Sequence, residues 1–475
     1  MVTPAEAAST AAPYARVLAE FAVDAARGLP APIIADAASR VTDSVGVSLA
    51  AAAVDDPAAP YRAVERVMRA RGGTPEATPL TGGGKLPAAS AAMINGTLAH
   101  SLDFDDTHLP SVLHPSSSIV SAALAMAEAK GSSGQQLLRA VAIGDEVCNR
   151  VGMAGYVPEL RNSTFFLRGQ HATSICGTIG AAVAVAMLLG QDEAATCSAL
   201  AIATSMGAGI IEANRTGGSV KQIHCGWAAQ AGIEAALFAE AGVTGPPTAL
   251  EGGFGFLRAY LGTDYDERAL TKNLGSDWEL LRTVYKPYPA NHFTHPVIDC
   301  ALALRAEGLA PDDIESAEIG VPGTVLRTIA EPWAEKIAPR SPYHAKFSGP
   351  FVFAIAMAGG GGLGVQLDDF TPQALADPVR SGLARRCTFT ADPICDEEFP
   401  NAFSAVARVR TRDGRRLEHR VHSSLGGPEH PLTAAQLEVK FRGNASRSLS
   451  DDRTDEVLAR LRALPGAAVV SSPLG

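Results

Sequence analysis

Between residues 103 and 115 the chain reads Asp-Phe-Asp-Asp-Thr-His-Leu-Pro-Ser-Val-Leu-His-Pro, which sets three carboxylates, the Thr107 hydroxyl and two imidazoles inside thirteen residues. Aspartates this close repel one another unless cations or hydrogen-bond donors answer them. Neighbouring histidines serve as such donors, or carry protons near neutral pH. The combination is the material of general acid/base chemistry. Its plainer alternative is a solvated turn whose Asp and Thr side chains cap the helix that follows.

Three further stretches offer groups of the same kind. In Leu-Arg-Gly-Gln-His-Ala-Thr-Ser-Ile-Cys-Gly-Thr, His171 stands at the start of a long apolar helix, where free N–H groups and the positive dipole end suit a carboxylate. In Asn-Arg-Thr-Gly-Gly-Ser-Val-Lys-Gln-Ile-His, a Gly217-Gly218 turn precedes Lys221, and His224 follows on the same helical face. This reads as an anion-holding turn with a cation attached, and it lacks the GxxxxGK[ST] string of a nucleotide loop. In Tyr-Lys-Pro-Tyr-Pro-Ala-Asn-His, prolines hold Lys286 in place at the expected junction of two domains, a common location for ligand clefts. His292 and His295 lie three apart with no third ligand and no HExxH string, which leaves metal binding a minor reading. Lys346, in His-Ala-Lys-Phe-Ser, adds another cation. Such a set fits a small polyanion, with lysines on its carboxylates and a histidine moving a proton at the carbon beside one of them. No nucleotide, flavin or metal signature accompanies it, so no cofactor is expected.

The elements that carry these groups are mostly helical. From residue 13 to about 260 apolar residues recur at helical spacing in blocks such as 31–53, 117–129 and 135–151. Ser116, Ser117 or Ser118 is expected to cap the helix after the aspartate segment. The apolar run from Ile175 to Gly190 is shorter than the ~20 residues of a membrane span and reads as a buried helix. After about Asn273 the composition changes. Residues 314–325 alternate like a strand, and 403–411 and 416–422 flank Asp413-Gly414 as a hairpin. Helix returns over 451–464, and the tail after Gly466 is expected to fray. The fold class is therefore mainly α, a large helical domain with a smaller α+β lid, divided as 1–280, 281–428 and a return to the helical domain over 429–475.

At 475 residues the chain exceeds the usual size of a single core. Its 47% hydrophobic and 19% charged content points to a large core and to subunit burial, hence an oligomer. A net charge of −10 argues against nucleic acid or an anionic membrane as partner. Seven cysteines without a CxxC pair read as reduced core thiols. The first twenty residues show no basic-then-apolar leader, so a cytoplasmic location is expected.

At these residues the chain resembles the MmgE/PrpD family, which includes 2-methylcitrate dehydratase, cis-aconitate decarboxylase and iminodisuccinate epimerase. The likeness rests on Asp43-Ser44-Val45-Gly46; Asn95-Gly96 running into Asp103-Phe104-Asp105-Asp106-Thr107 and His114-Pro115; Gly169-Gln170-His171; Gly218-Ser219-Val220-Lys221 with His224; and Ala345-Lys346-Phe347-Ser348. The resemblance implies a homodimer, an active site between the domains, and no metal or organic cofactor. It makes His114 the principal proton donor or acceptor and gives Asp103 and His171 the task of orienting or sharing the proton. Lys221 and Lys286 would hold carboxylates, with Thr107, His224 and Lys346 also facing substrate. The implied activity is a lyase on a small di- or tricarboxylate, foremost dehydration of a 2-methylcitrate-like acid, with epimerisation, decarboxylation or a non-catalytic binding role as alternatives. Two departures weigh against decarboxylation of cis-aconitate: one extra residue between Thr107 and His114, and Phe351 where that branch carries a tyrosine.

Overall fold

The computed structural model describes residues 12–160, 162–213, 218–400 and 402–475. Residues 214–217, which include the first glycine of the turn expected before Lys221, lie outside the described residues, as do the first eleven. The fold is mainly α with few, small sheets. No helix among the described residues is long and apolar enough to cross a membrane.

Buried apolar side chains form two separate cores. The first gathers residues from Ala15 to Leu280 and takes in Phe441, Val457, Leu458 and Leu461 from the two C-terminal helices, Ala434–Ala445 and Asp451–Ala463. At its centre lies the Ala172–Leu188 helix, buried along almost its whole length, as a helix apolar on every side must be. Small residues let its neighbours come close. The helices Ala88–Ser101 and Val220–Glu240 touch backbone to backbone: a Cβ on Gly226 would lie 2.2 Å from the Met93 carbonyl oxygen, and one on Gly96 2.6 Å from that of Cys225. That approach brings His100, at the end of one helix, near enough to influence His224, in the first turns of the other.

The second core runs from Tyr288 to Val409. It is built on a four-stranded sheet in the order 387–391, 314–321, 405–411, 416–421, with the first pair parallel and the other two antiparallel. The expected hairpin is present, turning at Gly414 with φ +90°. The first of the expected strands stops at Val321 instead of running to 325, because Pro322 offers no N–H for the ladder. The helices His295–Ala306 and Gly349–Ala358 pack against the sheet and each other.

Two local expectations are corrected. Pro115 occupies the N-cap position before the Ser116–Lys130 helix, and none of the three serines caps it. The Ser116 and Ser117 hydroxyls instead donate to the carboxylates of Asp106 and Asp105. The tail is not frayed: Val470 is buried and its N–H donates to the Ser132 carbonyl, while Gly134 N–H donates to Ala467.

One small ladder ties the two parts together at the aspartate segment. Thr107 and His108 pair antiparallel with Val284 and Thr283, just before Lys286.

Candidate active site

The aspartate segment is buried, and each carboxylate has its own answer. Asp103 meets two lysines on one oxygen, Lys286 at 3.3 Å and Lys221 at 3.8 Å. Asp105 accepts from His100 Nδ1 at 2.8 Å and from Ser117 at 2.7 Å. Asp106 accepts from the buried Arg40 at 2.7 Å and from Ser116 at 2.5 Å. Burial alone would raise the carboxyls of Asp103 and Asp105. The neighbouring charges overcome it: Lys286, Lys221 and His114 hold Asp103 well below the ordinary range, and His114 and His100 do the same for Asp105.

Asp103 also has a backbone φ of +54°, a conformation that side-chain-bearing residues rarely adopt. Three buried ammonium groups hold it there through consecutive carbonyls. Lys346 donates to Leu102 O at 2.8 Å, Lys286 to Asp103 O at 2.9 Å and Lys440 to Phe104 O at 3.1 Å. The first two come from the second core, whereas Lys440 arrives on the Ala434–Ala445 helix, pairs with Asp43 at 2.6 Å and lies over the Phe104 ring. Arg40 fixes the same region from below, through Asp36, Asp106 and the carbonyls of Leu280 and Thr283.

Against this loop stand four imidazoles. His114 Nδ1 donates to the Asp106 carbonyl at 2.6 Å, with Thr107 Oγ1 at 3.3 Å, so its Nε2 is the basic nitrogen. Its backbone N–H donates to Thr173 at the start of the Ala172–Leu188 helix. The His114 and His100 rings are 5.2 Å apart, His100 and His171 5.5 Å, and His171 and His224 4.9 Å. The Nδ1 atoms of His171 and His224 approach to 2.8 Å, so one donates to the other. Burial lowers His114 and His224 to about 4 and takes His171 well below its usual value, which leaves these three neutral at neutral pH. Burial brings Lys346 down to about 8, although Asp103 works in the opposite direction.

Every residue singled out from the sequence thus lies in one neighbourhood: Asp103, Thr107, His114, His171, Lys221, His224, Lys286 and Lys346. Four others belong to it that sequence reasoning passed over. His100 sits mid-cluster, Arg40 and Lys440 brace the loop, and the half-exposed Tyr343 is near enough to feel the charges of Asp103 and Lys221. Phe351 is buried in the second core, so Tyr343 supplies a phenol to this region from another helix. His292 and His295 stack at 4.4 Å, and His292 lies near Lys286 and His114. One trio among the described residues, His100, Asp105 and Cys225, has donor atoms within 4.8 Å of one another, as a metal site would. The direct His100–Asp105 hydrogen bond and the raised, protonated thiol of buried Cys225 account for it without an ion.

Two family models cover most of the chain: the MmgE/PrpD N-terminal domain over residues 16–268 and the MmgE/PrpD C-terminal domain over 288–463. The cis-aconitate decarboxylase of Homo sapiens is 31% identical over 382 residues, 79% of this chain and 76% of the relative. That of Mus musculus is 29% identical over 380 residues, 79% and 75% of the two chains. That of Aspergillus terreus is 26% identical over 392 residues, 79% and 78%. With both of its domains matched in order and the aspartate, histidine and lysine strings drawn into one cluster, the chain belongs to the MmgE/PrpD family.

Proposed function

We propose that the protein is a lyase that acts on a small tricarboxylate by moving a proton at the carbon next to a carboxylate. The observation that carries this reading is the meeting of Lys221 and Lys286 on one oxygen of Asp103, with His114 close by. In the free protein Asp103 answers both ammonium groups. A substrate carboxylate competes for the same two cations, and a carboxylate neutralised in this way makes the adjacent C–H more acidic. His114, neutral and presenting Nε2, takes that proton. The two cores serve as a helical domain (1–280 with 429–475) and an α+β lid (281–428), and the working unit is a homodimer in the cytoplasm.

The neutral resting state of His114 favours elimination of water from a 2-methylcitrate-like β-hydroxy acid. The C–H electrons become the new double bond, and the hydroxyl leaves with a proton, for which the Lys346 ammonium near 8 is suited. A second reading is decarboxylation of a cis-aconitate-like acid, favoured by the names of the relatives. There the C–C electrons stay on carbon as CO2 departs, and the carbon takes its proton from the Lys346 ammonium.

Proton NMR in D2O with 2-methylcitrate, citrate, cis-aconitate, malate-like and imino-dicarboxylic acids tests these readings together. A vinyl product with loss of water supports the first, CO2 release from cis-aconitate the second. Deuterium entering carbon without net product would turn the assignment to an epimerase. Silence from the whole panel would refute the lyase reading for these acids.

A further inference from the structure

The proposed reaction leaves one buried carboxyl close to the aspartate loop without a task. Asp145, on the Gly134–Ala154 helix, is fully buried. The Ser116 hydroxyl stands between it and a second carboxyl, 2.5 Å from Asp106 Oδ2 and 3.0 Å from Asp145 Oδ2. A hydroxyl has one hydrogen, so it donates to only one of them. The 2.5 Å contact has the length of a hydroxyl donating to an ionised carboxylate, and Asp106 is the partner of Arg40 at 2.7 Å. The hydrogen of Ser116 therefore goes to Asp106, and the 3.0 Å contact needs a hydrogen from Asp145. The other oxygen of Asp145, Oδ1, is sealed from solvent and has no hydrogen-bond partner among the described residues. An ionised Asp145 would thus be a buried anion without a donor, whereas a protonated one donates to Ser116 Oγ. The surrounding charges agree. Asp106 and Asp36 oppose ionisation, Arg40 favours it but is already engaged with both of them, and the nearby Cys148 is a protonated thiol. Burial, with Asp106 beside it, holds the Asp145 carboxyl well above the ordinary range.

We infer that Asp145 is a neutral carboxylic acid that positions His114, by donating to Ser116, which donates to Asp106. The inference rests on the role given to His114 above. The Asp106 side chain is tied on both oxygens, by Arg40 and the Ser116 hydroxyl on Oδ2 and by the Ser116 N–H at 3.3 Å on Oδ1. Its backbone carbonyl receives the His114 Nδ1–H at 2.6 Å. Ser116 follows His114 by two residues, so Asp106 and Ser116 close a loop that ends on the imidazole. Asp145 anchors this closure to a helix of the first core. It touches no substrate and gives up no proton in turnover. Its hydrogen supplies the missing donor and keeps a second negative charge from forming beside Asp106.

The test uses Asp145→Asn, which keeps a donor, and Asp145→Leu, which keeps the shape and removes it, both in the full chain. In infrared spectra at neutral pH the wild type is expected to show the carbonyl band of a protonated carboxyl that Asp145→Asn lacks. On whichever acid of the panel the wild type turns over, Asp145→Asn is expected to hold kcat within about 3-fold. Asp145→Leu is expected to lower kcat about 10-fold or more with KM within about 3-fold. In 15N-histidine-labelled protein the His114 Nδ1–H signal is expected to stay in place in Asp145→Asn and to move in Asp145→Leu. A merely structural role predicts lower melting temperatures with kcat and the His114 signal unchanged. A wild-type spectrum without the band, Asp145→Asn as slow as Asp145→Leu, or an unmoved His114 signal in Asp145→Leu overturns the inference. If the wild type turns over none of the acids, the lyase reading fails by itself, and the infrared band and the His114 signal decide. Should Asp145→Leu fail to fold, the band and Asp145→Asn give the decision. Failure of Asp145→Asn to fold would also overturn the inference, since asparagine copies a neutral acid in size and in hydrogen bonding.

Discussion

Acid should destabilise this protein through its buried histidines before Asp103 or Asp105 titrates. Burial lowers His114 and His224 to about 4 and His295 to about 3, whereas an unfolded histidine titrates near 6.5. Between those values the unfolded chain binds more protons than the folded one, so stability rises with pH across that window and is lost as pH falls through it. For a single histidine shifted to about 4, lowering the pH from about 7 to about 5 removes about 2 kcal/mol. His114 is suited to the measurement because its side chain is 14% exposed, so a glutamine there disturbs little packing. Urea unfolding of wild type and His114→Gln at pH about 7, 6 and 5 gives both slopes. The variant is expected to lose about 2 kcal/mol less than wild type over that interval, whatever its stability at neutral pH. Asp103 and Asp105, held well below the ordinary range, add nothing until the pH falls below about 4. Equal slopes would refute the claim that burial keeps His114 neutral.

Replacing Lys221 or Lys286 by alanine should raise KM or lower kcat by the equivalent of a charged hydrogen bond, roughly 1.5–3 kcal/mol. The loss should be larger at Lys286, which also holds the Asp103 carbonyl, and steady-state kinetics on the active acid reads both. Competition by tri-, di- and monocarboxylates should weaken in that order and fade with added salt; equal inhibition by all three would contradict a cationic pocket built for several carboxylates. Gly226→Ala should cost roughly 1–3 kcal/mol by forcing apart the helices that carry His100 and His224, read as a lower melting temperature with activity lost in parallel. Arg40→Met strands Asp106 without its cation and should cost roughly 3–5 kcal/mol in unfolding free energy, far more than an exposed pair would.

What the sequence discloses and what it hides follow from the range of each interaction. Helices at 31–52, 134–154 and 172–188 are legible because alanine-rich apolar periodicity is local, and the 405–421 hairpin because Asp-Gly fixes its own turn. Asp103, His114, His171, Lys221 and Lys286 stand out because charged groups in apolar surroundings need a reason. Ser116 and Ser117 mislead, since a serine before a helix looks like a cap until its tertiary partner is known. His100 gives no local sign: in Leu-Ala-His-Ser-Leu it resembles a packed core histidine, and its meaning comes from Asp105 and from rings on two other segments. Lys440 is 336 residues from the Phe104 carbonyl it holds, and no spacing rule reaches that far.

The distribution of charge around residues 102–106 explains why so costly an arrangement persists. Behind the loop no cation lacks a carboxylate: Lys440 pairs with Asp43, and Arg40 answers both Asp36 and Asp106. In front, among the described residues, Lys221 and Lys286 share the Asp103 carboxylate and Lys346 bonds a carbonyl. Three ammonium groups facing one carboxylate leave a surplus of positive charge, a poor choice for stability because each ion has given up water for incomplete pairing. The positive φ of Asp103 adds strain that Lys286, Lys346 and Lys440 hold in place through the neighbouring carbonyls. Both costs fall on residues that a polyanion would relieve: its carboxylates complete the pairing of Lys221, Lys286 and Lys346. Neutral histidines beside them keep the surplus from growing before the ligand arrives, and they stand ready to take a proton once it has. Stability is thus lowest where the binding of an anion has most to add.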